Sequence, residues 1–172
     1  MNTTGQRAEH ADAKPTVVLV HGAFADASSW NGVIERLQRQ GYTVIAPANP
    51  LRGVTADSAY TASLLSQIDG PVLLAGHSYG GAVISNAATQ RPVAAAAFSD
   101  ASGPPAWRKL PSWAVVATGD KAAGADLVRS MARRAGADIV EVEGSHVIMI
   151  SQPQAVTDHI VKAAQATVGS GR

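Results

Sequence analysis

The chain of 172 residues carries 14 Lys and Arg against 13 Asp and Glu, a formal net charge of +1, and contains no cysteine. This near-neutral balance, without a basic tract, argues against nucleic acid or an anionic membrane surface as a partner. The lack of thiols excludes disulfides, cysteine nucleophiles and Cys-based metal sites. No apolar run approaches the roughly 20 residues of a membrane span, and a hydrophobic content of 46% suits one soluble globular domain. Residues 1–14 are polar and lack an apolar signal core, so they read as a disordered leader. Residues 15–168 read as a single domain and 169–172 as a flexible tail, with a cytoplasmic location expected.

In chain order, Thr16–Val20 is a short β-branched run of the kind buried on both faces of a parallel sheet. The loop His21-Gly22-Ala23-Phe24 follows. Ser28 or Ser29 is placed to cap a helix running to about Gln40, with Trp30, Val33, Ile34 and Leu37 forming its apolar stripe. Tyr42–Ala46 predicts a second strand, ended by Pro47. Asp57 is a plausible N-cap for a helix carrying Tyr60, Leu64, Leu65 and Ile68. Val72–Ala75 predicts a third strand, and a helix is expected from about Tyr79 to Thr89. Val93–Phe98 predicts a fourth strand, followed by a Pro/Gly-rich connector at Ser99–Ser112. Trp113–Thr118 is the fifth strand. A helix marked by Leu127, Val128, Met131 and Ala135 leads to a sixth at Ile139–Val142. Ser151-Gln152-Pro153-Gln154 resembles a capping box for a last helix bearing Val156, Ile160, Ala163 and Thr167. Strands alternating with helices predict a three-layer α/β sandwich: a mostly parallel six-stranded sheet with helices on both faces. In such sheets ligands bind beyond the carboxyl ends of the strands.

Those strand ends carry the chemistry. Gly76-His77-Ser78-Tyr79-Gly80 has the form G-x-S-x-G between a strand and a helix, the setting of a nucleophile elbow. A serine hydroxyl needs a base, and the base needs an orienting carboxylate. His146, after strand six, is the candidate base. Asp120, after strand five, is the candidate acid, with Asp100, after strand four, as its rival. The oxyanion would be met by the Tyr79 backbone N–H and by that of Ala23, with Phe24 as the alternative.

TVVLVHGAFADASSW, YTVIAP, LLAGHSYGG, WAVVATGD and EVEGSHVIMISQPQAV together resemble the α/β-hydrolase superfamily. More narrowly, they are similar to bacterial cofactor-free enzymes of the esterase, haloperoxidase and hydroxynitrile-lyase-like group. The resemblance spans Thr16 to Ala166. It implies a Ser78, Asp120, His146 triad and an oxyanion loop at His21–Phe24. Relatives usually insert a helical cap between strands four and five. Here only Ser99–Ser112 is available, so the expectation is a minimal α/β-hydrolase fold without a cap domain. The expected activity is hydrolysis of small or short-chain carboxylic esters through an acyl-serine. Perhydrolysis, a haloperoxidase-like or hydroxynitrile-lyase-like reaction and a non-catalytic scaffold remain as alternatives. Lys121 is the only lysine near enough to serve a lyase. The expected state is a monomer or a weak homodimer, since apolar surface left uncovered by the missing cap favours self-association.

Phe24, Trp30, Tyr79 and Trp107 are candidates for the substrate pocket, although Trp30 also belongs to a core stripe. His21 is expected to brace the oxyanion loop and His77 to pack beneath the elbow. His159 falls near the apolar stripe of the last helix, and His10 lies in the leader. The five histidines show no metal-ligand spacing, and the glycines match neither a Walker loop nor G-x-G-x-x-G, so neither metal nor cofactor is expected.

Overall fold

The computed structural model describes residues 13–88 and 105–168. The strands are β1 (Thr16–Val20), β2 (Val44–Ile45), β3 (Val72–Gly76), β4 (Trp113–Ala117) and β5 (Asp138–Val142). The helices are α1 (Asn31–Arg39), α2 (Val54–Leu65), α3 (Tyr79–Ala87), α4 (Ala125–Arg134), the single turn α5 (Ile148–Ser151) and α6 (Pro153–Val168). β1 lies between β2 and β3, and β4 pairs with β5; every described pairing is parallel. The predicted strand at Val93–Phe98, with Asp100 behind it, lies outside the described residues.

The sheet is covered on both faces, and β1 shows why. Its residues alternate between two cores, as the two-residue period of a strand requires. Val17 and Leu19 join Trp30, Val33, Leu37, Met149, Val156 and Ile160, the cluster supplied by α1, α5 and α6. Val18 and Val20 join Val83, with Leu64, Leu65, Ile68 and Ile84 of the α2–α3 side packed around them. All four β1 side chains are fully buried. At about 1.5–3 kcal/mol for each fully buried aliphatic side chain, this one strand accounts for a large share of the core. The result is a compact three-layer α/β arrangement with no cap inserted among the described elements.

Several predicted boundaries differ. Asp26, rather than Ser28 or Ser29, opens the first helical segment. Its carboxylate accepts from the Ser28 N–H at 2.8 Å at the head of a 3-10 turn (Ala27–Trp30), and α1 follows. The strand predicted over Tyr42–Ala46 contracts to Val44–Ile45, because only Val17 and Val18 of β1 are paired with it. α2 starts at Val54 behind Gly53, whose φ of 123° suits glycine, so Asp57 sits inside the first turn and not at the cap. In α4, Leu127 and Met131 face solvent and Ala132 is the buried position, so the apolar stripe is rotated from the one the sequence suggests. The polar outer face is tied down instead by Arg129, which bonds Asp126 and reaches Glu141 of β5 at 2.7 Å. The last helix has Pro153 as its first residue, a position where a missing N–H costs nothing.

Candidate active site

The elbow is built by close approach of backbone. A Cβ on Gly76 would come within 2.5 Å of the Gly80 carbonyl oxygen, and one on Gly80 would overlap the Val20 carbonyl oxygen. Only glycine at both positions lets α3 rise this steeply from β3. Ser78, at the apex, has φ 52° and ψ −119°, a conformation that costs a non-glycine residue on the order of 1–3 kcal/mol and that clusters at functional sites. Its side chain is exposed.

Across the sheet edge, the loops after β4 and β5 bring Asp120 and His146 together. Asp120 is 8% exposed, and its Oδ2 accepts from His146 Nδ1 at 2.8 Å. Its Oδ1 accepts from the N–H groups of Ala122 and Ala123 at 2.8 and 3.0 Å. Burial alone would raise this carboxyl. The His146 hydrogen bond and the Ala123 and Ala122 N–H groups outweigh it and hold Asp120 below the usual carboxylate range. An ionised carboxylate can only accept, so the His146 proton resides on Nδ1 and Nε2 keeps its lone pair. That lone pair is what a serine hydroxyl requires of its base. Among the described residues no hydrogen bond joins His146 Nε2 to Ser78 Oγ, in keeping with catalytic contacts that close only around substrate.

The loop His21-Gly22-Ala23-Phe24 is fixed from below. His21 is 3% exposed; its Nε2 accepts the Asn49 N–H at 2.8 Å, leaving Nδ1 to donate to the Gly22 carbonyl at 2.9 Å. Asn49 returns a bond from Nδ2 to the His21 carbonyl at 3.2 Å. Beyond this brace Ala23 and Phe24 are exposed, and Phe24 has φ 61°. No backbone or side-chain acceptor among the described residues takes the N–H groups of Ala23, Phe24 or Tyr79. The Tyr79 side chain points away from this role. Its hydroxyl donates to Asp57 Oδ2 at 2.6 Å, while Asp57 Oδ1 accepts from the Arg52 N–H at 3.1 Å. Asp57 is fully buried, so α2 and the start of α3 are joined through a carboxylate out of contact with water.

The other predicted residues fall as follows. Trp30, 4% exposed, is part of the core between β1, α1 and α6. Trp107 lies within 6 Å of two guanidinium groups, with Arg108 at 5.7 Å and Arg134 at 5.9 Å from its ring. Arg134 ends α4, beside the start of β5, so Trp107 stands at the sheet edge opposite Asp120 and His146. His159 is buried and donates from Nε2 to the Asp138 carbonyl at 3.1 Å, also at that opposite edge. Lys121 is exposed. Phe24 does border an open groove of about 490 Å³, shared with Asp26, Val147, Met149 and Ile150, between the oxyanion loop and the loop of His146. Among the described residues no group of three His, Cys, Asp or Glu is placed to hold a metal ion, and no helix is long and apolar enough to cross a membrane.

Asn49 and Asp57 are the site-supporting residues that the sequence reading missed. Asn49 carries no local signal, since it acts on a loop distant in sequence. Asp57 did carry one, an acidic residue in the first turn of a helix, but that signal equally describes a cap.

A search of curated protein sequences returns no match. Solved structures with the same fold include a protein of the alpha/beta superfamily of hydrolases from Xanthomonas campestris pv. campestris (19% identity, TM-score 0.69, covering 89% of this chain and 99% of that one). A pyrethroid hydrolase from Sphingobium faniae JZ-2 is similar at 17% identity and a TM-score of 0.70, over 88% of this chain and 98% of that one. The thioesterase domain from the curacin biosynthetic pathway is similar at 16% identity and 0.69, over 86% and 91%. The model of the alpha/beta hydrolase family matches residues 17–104 and 86–159. With most of its length matched in sequence and its layers and strand-end loops arranged as described above, the chain belongs to the alpha/beta hydrolase family.

Proposed function

We propose that this chain is a carboxylic-ester hydrolase that works through an acyl-serine intermediate on Ser78. The observation that carries the reading is the Asp120–His146 pair, with Nε2 unoccupied, at the same sheet edge as a serine in a left-handed elbow. Ser78 Oγ attacks the ester carbonyl as His146 Nε2 takes its proton. The oxyanion is met by the N–H groups of Tyr79 and Ala23, with Phe24 as the alternative second donor. His146 then returns the proton to the leaving alcohol. Water, activated by the same imidazole, releases the acid and restores Ser78. Asp120 keeps the tautomer that makes both transfers possible and stabilises the imidazolium between them. The three side chains supply both half-reactions without a cofactor.

Exposure of Ser78 and the open groove beside Phe24 support small or short-chain esters as substrates, since the described residues there offer little surface to grip a long chain. The likeness in fold to a thioesterase domain is in keeping with acyl transfer at such a site. The test is turnover of p-nitrophenyl esters of increasing acyl length by the wild type and Ser78→Ala. Turnover that is highest with acetate or butyrate and vanishes in Ser78→Ala supports the reading. Equal turnover by the two proteins contradicts it.

A further inference from the structure

His77 lies between the three loops of the site, and the triad does not use it. Its Nε2 lies 2.8 Å from the backbone carbonyl of His146, a contact between residues 69 apart in sequence. A carbonyl only accepts, so His77 carries its proton on Nε2 and donates it. The His77 and His146 rings lie 4.8 Å apart, tilted by 58°. The other nitrogen, Nδ1, is buried and makes no hydrogen bond. It faces the oxyanion loop so closely that a Cβ on Gly22 would lie 2.8 Å from it. Resting on the proposed triad, we infer that His77 is a positioning residue: it holds the backbone of the base, His146, in register with the elbow that carries Ser78, while remaining neutral.

Neutrality follows from the same geometry. A proton on Nδ1 would be a buried donor with no acceptor. Burial is the largest influence on this imidazole and lowers its proton affinity; the hydrogen bond to the His146 carbonyl opposes it, the charge of His146 adds to it and Asp120 opposes it, and the net direction is down. A cation 4.8 Å from the His146 ring would also oppose the imidazolium that forms there during acyl transfer. The single N–H therefore fixes the height of the His146 loop, and the bare Nδ1 allows Gly22 to pack against it.

The test compares His77→Gln, which keeps a side-chain N–H donor, with His77→Met, which has similar length and no donor. Two readouts are needed, each taken after a thermal melt confirms folding. One is kcat and KM on a short p-nitrophenyl ester. The other is the low-field proton NMR signal of His146 Nδ1–H in its bond to Asp120, which requires no substrate. His77→Met should lower kcat by roughly ten- to a hundred-fold with KM little changed, as expected when a reacting group is misplaced by about an ångström. It should also broaden or shift the His146 signal. His77→Gln should recover most of both. If His77→Met leaves the signal and kcat as in the wild type, or if Gln fares no better than Met, the assignment is overturned. Should the wild type hydrolyse no ester, the functional reading fails, and the NMR comparison still decides the role of His77. If His77→Met does not fold, His77→Phe takes its place as the donor-free variant.

Discussion

The two sides of the candidate site are built differently. On the β4–β5 side, Asp120 is nearly out of water and accepts three hydrogen bonds, one from the His146 ring and two from backbone. On the β1–β3 side, Ser78 is exposed at the apex of a strained turn, and no hydrogen bond joins it to His146. Asp120 and His146 are thus ordered by side-chain polar contacts, whereas Ser78 is held by close backbone packing at Gly76 and Gly80 and by backbone hydrogen bonds such as that from the His77 N–H to the Val20 carbonyl. The difference teaches where each half is vulnerable. Polar substitutions should damage the first through chemistry, and added carbon should damage the second through folding.

The largest effect is expected on the ordered side. Asp120→Asn keeps the shape and loses the acceptor that fixes the His146 tautomer, so kcat on a short ester should fall on the order of 10⁴-fold. A fall below tenfold would mean that another carboxylate orients the base, and Asp100 would be the first to substitute. On the elbow side, Gly80→Ala places a methyl group against the Val20 carbonyl. Overpacking of this kind costs about 1–3 kcal/mol, read as a lower urea midpoint, and activity should be lost with it. An unchanged midpoint would show that the elbow relaxes freely. Tyr79→Phe should be milder for activity. It leaves the fully buried Asp57 carboxylate with only the Arg52 N–H, at a cost of about 1–3 kcal/mol in stability, while the Tyr79 backbone N–H remains.

The smallest effect separates the two sides by pH. Asp120 is depressed in the folded chain and returns to about 4 when unfolded. The unfolded chain therefore binds the proton more readily. The contribution of Asp120 is complete above about pH 4 and is lost as pH falls through its lower folded value. His77, lowered by burial, has the same sign and acts earlier: stability declines as pH falls below about 6.5, where the unfolded imidazole protonates first. Urea midpoints measured from pH 7 downward should fall in these two windows. Asp120→Asn should flatten only the more acidic one. A single acid transition unaffected by Asp120→Asn would contradict this division.

How much of this the sequence discloses follows from the same contrast. β1, β3 and α3 are legible because their signals are local: a β-branched run, a glycine spacing, a serine between them. β1 and the start of α3 are predicted to the residue, and β3 to within one. β2 is shorter than its sequence suggests because pairing, not propensity, decides its length. The α4 stripe is misread because Leu127 and Met131 are apolar yet face water, while the small Ala132 fills the contact with the sheet. In the sequence, residue type suggests Trp30 for the pocket, and its place on the connector suggests Trp107. Trp30 belongs to the core and Trp107 to a pair of arginines. The supports of the site, Asn49 beneath His21 and Asp57 beneath Tyr79, join segments distant in sequence, and no local pattern announces such bonds.

In the proposed reaction His146, oriented by Asp120, activates Ser78. The most direct measurement is labelling with a fluorophosphonate followed by peptide mass spectrometry, on the wild type and on His146→Ala. One adduct is expected, on Ser78, formed readily by the wild type and at least about a hundred-fold more slowly, as for loss of a general base, by His146→Ala. An adduct elsewhere, none at all, or equal labelling of Ser78 in both proteins would contradict it.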